Sequence, residues 1–188
     1  MKLKRTSAPA IEPIELSEAK GHLRVTTTGE DTVIAFELTE ARAYCEKQMH
    51  VQMITCAFNG YLDYFPDEDY IEFPIYPMTG VVKVEYFAVD GTDYTEWAST
   101  NYVFDEFRKP PRLVLASGCS WPDTEDRPNA VKITFNAGFN TAADVPDTWI
   151  RTLKMVLLHM HEHRGDEGLV TLPRLIDDMI YSDTNYLV

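Results

Sequence analysis

The sequence is short of cysteine, of basic residues and of long apolar runs, and each shortage excludes something. Three cysteines, Cys45, Cys56 and Cys119, are spread over 188 residues. An odd and scattered set forms neither a disulfide framework nor a CxxC metal clip, and a reducing, intracellular origin fits it best. Lys and Arg total 17 against 30 Asp and Glu, a net charge of −13. Such a chain is a poor partner for DNA phosphates or an anionic membrane. No apolar run approaches the roughly 20 residues that span a bilayer. The basic start, Met1-Lys2-Leu3-Lys4-Arg5, leads into no apolar segment, so it does not read as a secretory signal. Gly80, Gly91, Gly118 and Gly138 stand alone, and no phosphate-cradling loop is present. There is no internal repeat and no low-complexity tract.

What is there suffices for a core: 45% of the residues are apolar and 12% aromatic, too many for disorder. The acidity sits in the middle. Residues 51–130 carry 14 acidic and 5 basic groups, whereas residues 1–50 carry 8 and 7. Residues 1–15, with Pro9 and Pro13, lack periodicity and read as an extended arm. A helix starts near Leu16, with Ser17 as its expected cap. A longer one follows Gly29, with Asp31 as the expected cap and Ile34, Leu38, Ala41, Cys45 and Met49 on one face. From about residue 52 the period becomes two. Val82, Val84, Tyr86 and Ala88 alternate with Lys83, Glu85 and Phe87, and Asp90-Gly91 then predicts a type I′ hairpin. Further short strands are expected at 70–73, 102–104, 113–115 and 131–135, the last with Val131, Ile133 and Phe135 inward. Helical spacing returns after Pro146, with Ile150, Leu153, Leu157, Met160 and Arg164 on one face and Trp149 and Val156 beside it, and Gly165 ends that helix. A further short helix is expected within 171–181.

The expected fold class is therefore α+β: a helical core carrying an inserted, mostly antiparallel small β domain. Its divisions are an arm over 1–15, helical core over 16–50, a β-rich insertion over 51–140, helical core again over 141–181, and a tail over 182–188.

One segment suggests chemistry. His159-Met160-His161-Glu162-His163 contains H-x-x-E-H, the pattern of an inverted zinc peptidase, in which two histidines bind zinc and the glutamate activates water. On a helix, His159 and His163 share a side turned away from Leu153 and Leu157, while His161 borders that stripe. A third ligand is missing from any recognisable motif, and a solvated helix face is no cleft. The expectation is an outer polar face, with no metal, no cofactor and no catalytic residue. Ser117-Gly118-Cys119-Ser120 lacks a nucleophile elbow, and Asp67-Glu68-Asp69 lacks the spacing of a calcium loop. Tyr61, Tyr64, Phe65, Tyr70 and Tyr76 fall in the acidic block and are expected to serve core and interface packing.

The order of elements resembles the head–tail connector (adaptor) proteins of tailed bacteriophages and related gene-transfer particles. The segments that carry the resemblance are Leu16–Val25, the helix from Ile34 to Glu46, Val84-Glu85-Tyr86 with Asp90-Gly91, and Tyr102-Val103-Phe104-Asp105. Trp121-Pro122, Val131–Phe139, Val145-Pro146 and Leu157-Leu158 through Arg164 continue it in the expected order. His161 stands where an aromatic is expected, and the tail after Gly165 departs from the pattern. The resemblance implies a non-enzymatic virion protein of the neck, assembled in the host cytoplasm. It implies a ring of identical copies, usually twelve, beneath the portal protein. A tail-side neck or tail-terminator protein would dock below, and genomic DNA would pass through without sequence-specific binding or any membrane contact. Portal or partner binding falls to Met179, Ile180, Tyr181, Tyr186, Leu187 and Val188. Two other classes remain: a zinc-dependent hydrolase on His159, Glu162 and His163, and a tail-associated glycan- or receptor-binding β module.

Overall fold

Fourfold and threefold spacing of small and aliphatic side chains is what buries a helix, and the chain spends its two ends on such segments. The structure, a computed structural model, describes residues 1–164 and 173–184. They form an α+β fold in two units: a β unit of residues 1–9 and 55–138, and a helical unit of residues 10–54 with those from 139 onward.

The helical unit contains α1 (Leu16–Leu23), α2 (Asp31–Met49), α3 (Asp147–Glu162) and α4 (Arg174–Thr184). Helix α2 packs against the other three, and α3 also packs against α1 and α4. Ile34, Leu38, Ala41, Cys45 and Met49 are all buried, as their spacing predicts. The buried face of α3 keeps the expected Leu153 and Leu157 and is centred toward the flanking Trp149 and Val156. Trp149, Thr152, Leu153, Val156 and Leu157 are buried, whereas Ile150 and Met160 are half-buried and Arg164 is exposed. The indole of Trp149, edge-on to Phe139 at 5.8 Å, turns the helix toward its own side. Thr152 enters the core because its hydroxyl donates to the Thr148 carbonyl at 3.0 Å.

The helix ends were not visible in the sequence. Ser17 caps nothing: α1 begins after Glu15, whose carbonyl accepts from the amides of Glu18 and Ala19, and the Ser17 hydroxyl donates to the Glu15 carboxylate. Asp31 is the first residue of α2 and pairs with Lys20 instead. Both helices stop on non-glycine residues in the left-handed region, Arg24 (φ 59°) and His50 (φ 56°). Val25 N–H reaches the Lys20 carbonyl and Val51 N–H the Glu46 carbonyl, closing each last turn.

One buried polar network ties this unit together. The Arg42 guanidinium donates to Glu12 at 2.6 Å and, one turn along α2, to Glu46 at 2.9 Å. Glu46 also accepts from the Gln52 side chain at 2.6 Å and the Met53 amide at 3.1 Å. Gln52 completes its amide by donating to the Ile54 carbonyl. Each charged group here is hydrogen-bonded, which is the condition for burying charge without a large penalty.

The β unit contains β1 (Lys2–Arg5), β2 (Cys56–Leu62), β3 (Tyr70–Glu72), β4 (Met78–Phe87), β5 (Tyr94–Trp97), β6 (Tyr102–Asp105), β7 (Arg112–Leu115) and β8 (Val131–Ala137). One sheet has the order β1-β2-β8-β4-β5 and the other β3-β7-β6, with every neighbouring pair antiparallel. The two share one core. Phe58, Val84, Ile133 and Phe135 meet Ile71 and Leu113, and Phe73 packs edge-on to Phe135 at 5.0 Å. Phe65 stacks on Trp121 at 4.9 Å, and Trp97 packs on both.

Three expectations for this unit need correction. Residues 2–5, read as a free arm, form an edge strand, with Leu3 opposite Gly60 and Arg5 opposite Phe58. The alternation read through β4 breaks at a bulge between Val81 and Lys83, which leaves Val82 exposed while Val84 and Phe87 are both buried. The hairpin at Asp90-Gly91 exists, but its turn is not type I′. Asp90 alone has positive φ (59°), and the Gly91 amide donates to the Ala88 carbonyl. Glycine is needed there for closeness, since a Cβ would lie 2.7 Å from the Ala88 oxygen.

On the β4–β8 pair, Glu85 lies between Lys83 at 2.8 Å and Lys132 at 2.6 Å. Burial pushes its carboxyl up, but hydrogen bonds from the two ammonium groups hold it below the ordinary glutamate value. The stability this contributes is present above the unfolded pKa and is lost as pH falls through the lowered one.

Two substitutions read these features with opposite signs. Arg42→Met should cost about 3–5 kcal/mol in denaturant unfolding, because it strands the Glu46 carboxylate. His50→Gly should raise stability by about 0.5–1 kcal/mol by relieving the left-handed cap.

Candidate functional site

Buried or converging polar side chains are where chemistry would be sought, and the end of α3 holds the densest set. His159 is buried, not solvated as its helical phase suggested, because the buried face of α3 is rotated toward it. Its Nε2 is enclosed and has no hydrogen-bond partner among the described residues. The rings of His159 and His163 pack at 4.2 Å, and His163 Nδ1 lies 2.8 Å from the His159 carbonyl oxygen. His161 Nδ1 sits 2.7 Å from a Glu37 oxygen on α2. Arg164 reaches Glu30 at 2.8 Å and Glu37 at 3.9 Å. Glu162 is exposed.

These contacts bind the end of α3 to the start of α2. Glu162, the glutamate that would activate water, faces solvent. Among the described residues no group of three His, Cys, Asp or Glu side chains could hold a metal ion. His161, where the resemblance leads one to expect an aromatic, has instead become a polar bridge between helices.

The proposed partner-binding residues separate by burial. Ile180 is 8% exposed and belongs to the core of the helical unit, where α4 packs on α2 and α3. Met179 is half-buried, and Tyr181 is 69% exposed. Leu175 lies on the same helix and is 58% exposed, a surface residue that periodicity did not single out. Tyr186, Leu187 and Val188 fall outside the described residues, as does Gly165. On α2, Val33 and Phe36 are one turn apart and both exposed. Their helical phase sets them off the stripe of Ile34, Leu38 and Ala41, with Phe36 nearly opposite Ile34, a signal the sequence reading did not use.

In the β unit, the aromatic residues of the acidic block divide between core and surface. Phe65 is buried. Tyr61, Tyr64 and Tyr70 line an open cleft of about 460 Å³ together with Asp63, Glu68 and Glu72. An adjoining cleft of about 440 Å³ shares Asp63 and Tyr64 and adds Glu125, Asp126 and Arg127. Both are broad and acidic, and no nucleophile paired with a base lines either one.

No family model matches the sequence, and no curated protein matches it. Solved structures do. The chain is similar to one in the virion of a native gene transfer agent (GTA) particle, with a TM-score of 0.78, 23% identity, and coverage of 97% of this chain and 94% of that one. It is similar to one in the neck of an empty GTA particle computed with C6 symmetry, at 0.78 and 20% identity over 97% and 95%. A third lies in the neck of a native GTA particle computed with C12 symmetry, at 0.78 and 21% over 97% and 94%. At these identities the likeness is one of fold.

The histidine cluster can be tested directly. The chain purified without chelator should carry zinc well below one ion per copy by elemental analysis. His159→Ala/His163→Ala should leave that content unchanged while lowering the melting temperature, since His159 is buried. Stoichiometric zinc that the double substitution abolishes would restore the hydrolase.

Proposed function

We propose that this protein is a structural component of the neck of a phage-like particle, a head–tail connector. Identical copies form a ring below the portal, extend the DNA channel and present a platform to tail components. The observation that carries the proposal is the fold likeness, which takes in 97% of the chain and refers each time to a chain of a particle or its neck. Fold alone does not imply function, so the reading also draws on the surface. A net charge of −13 per copy suits a channel through which DNA slides, because a negative wall repels phosphate. Among the described residues no helix is long and apolar enough to cross a membrane. The exposed apolar side chains of α4, Leu175 and Tyr181, are candidates to dock on the portal together with the chain end over 186–188.

Native mass spectrometry and negative-stain imaging with portal present test this. The expected species is a closed ring whose mass is a whole multiple of the 21.5 kDa chain; a chain that stays monomeric beside portal rings counts against it. Leu175→Glu/Tyr181→Glu should weaken portal binding about tenfold or more, with little change in melting temperature. Ile180→Ala should instead destabilise the monomer by about 2–4 kcal/mol. The contrast separates a docking surface from a core.

A further inference from the structure

A five-stranded sheet in which every neighbouring pair is antiparallel has a geometric property that the proposed ring could use. Four successive antiparallel pairings join β1 to β2, β2 to β8, β8 to β4, and β4 to β5. The two edge strands, β1 and β5, therefore run in the same direction. At about 4.8 Å per strand they stand about 19 Å apart on opposite sides of the sheet.

The two edges differ in charge. Strand β1 exposes Lys2, Lys4 and Arg5. The β5 edge and the loop leading into it expose Asp90, Asp93 and Glu96. None of these six charges is in an ion pair within 4 Å among the described residues. Lysine on an edge strand is a common guard against unwanted pairing. A guard alone would place the same sign on both edges. Here β1 repels β1 and β5 repels β5, whereas β1 and β5 attract.

We propose that β1 of one copy docks beside β5 of the next, joining the five-stranded sheets of successive copies in parallel through opposite charges. Such a contact is heterologous, the class that generates rings when the rotation closes. The closure rests on the connector reading above, but the joint does not. It accounts for the concentration of basic side chains in the first strand of an otherwise acidic chain.

Two measurements test it, both on the full chain. In a Cys119→Ser background, Lys4→Cys copies mixed with Thr95→Cys copies should give a covalent dimer with a short bismaleimide, and neither should do so alone. For the second, Lys2→Glu/Lys4→Glu/Arg5→Glu copies and Asp93→Lys/Glu96→Lys copies should each self-associate about tenfold or more weakly than the unaltered chain. The equimolar mixture should recover assembly, since each altered edge then meets its complement. Apart from the half-buried Cys119, all substituted positions are exposed, and far-ultraviolet circular dichroism confirms that each variant is folded. No dimer in the cysteine mixture, equal dimer from Lys4→Cys alone, or no recovery in the charge mixture overturns the joint. Closed rings that form without the cross-link leave the connector reading intact and refute the joint. Cross-linked chains that never close support the joint and refute the ring.

Discussion

The helical unit is assembled from two separated stretches of chain, and it holds because every point where the chain enters or leaves it is tied to its neighbours. Arg42 is the centre of that tie. It grips Glu12, just after the chain leaves the β unit for the first time, and Glu46, whose carboxylate holds Gln52 and Met53 just before the chain departs again. Where the chain returns, the Phe139 amide donates to the Met53 carbonyl at 3.1 Å and Phe139 pairs with Ile54 as a parallel bridge. An apolar residue at position 42 could fill the same volume but could not hold two carboxylates at fixed directions. The ion network thus does what hydrophobic packing cannot: it specifies which segments lie together.

Sequence periodicity was informative where one face of an element is buried and nothing interrupts the repeat. Helix α2 and strand β8 satisfy both conditions, and Val131, Ile133, Phe135 and Ala137 face the core as their alternation predicts. It failed where a single local event shifts the phase. The bulge at Val82 turns that residue out to solvent, while Val84 and Tyr86 keep the core face the alternation gave them. The buried face of α3 is centred toward Trp149 and Val156, and His159 is buried with it. The edge strand β1 has no periodicity to detect because all four of its side chains are exposed. Its partner β2 gave no clear signal either, since Gly60 and the polar Asn59 interrupt its apolar run.

The same limits explain what was legible of function. The H-x-x-E-H pattern is a statement about spacing, and spacing fixes only which residues share a helix side. Whether that side meets solvent, a cleft or another helix depends on α2, which lies more than a hundred residues earlier in the chain. Glu37 and Glu30 supply the answer by taking His161 and Arg164. A surface hydrophobic such as Leu175 is hard to see for the complementary reason. An exposed leucine and a buried one look alike in a sequence, and only the packed structure tells them apart.

Most of the buried and half-buried polar groups are spent on one another. An active site needs titratable groups held out of water yet left unengaged, ready for a substrate. Here Glu46 is committed to Arg42, Gln52 and the Met53 amide, and Glu85 to Lys83 and Lys132. His161 is committed to Glu37, and Thr152 to its own helix. Each removes an alternative arrangement of the chain. The exceptions among the described residues are the Nε2 atoms of His22 and His159, enclosed without a partner, while the charges of the β1 edge and the β5 margin lie on the outside. Charge at two opposite edges of one sheet does little for a solitary molecule, whereas the proposed joint between copies would use it for both orientation and order.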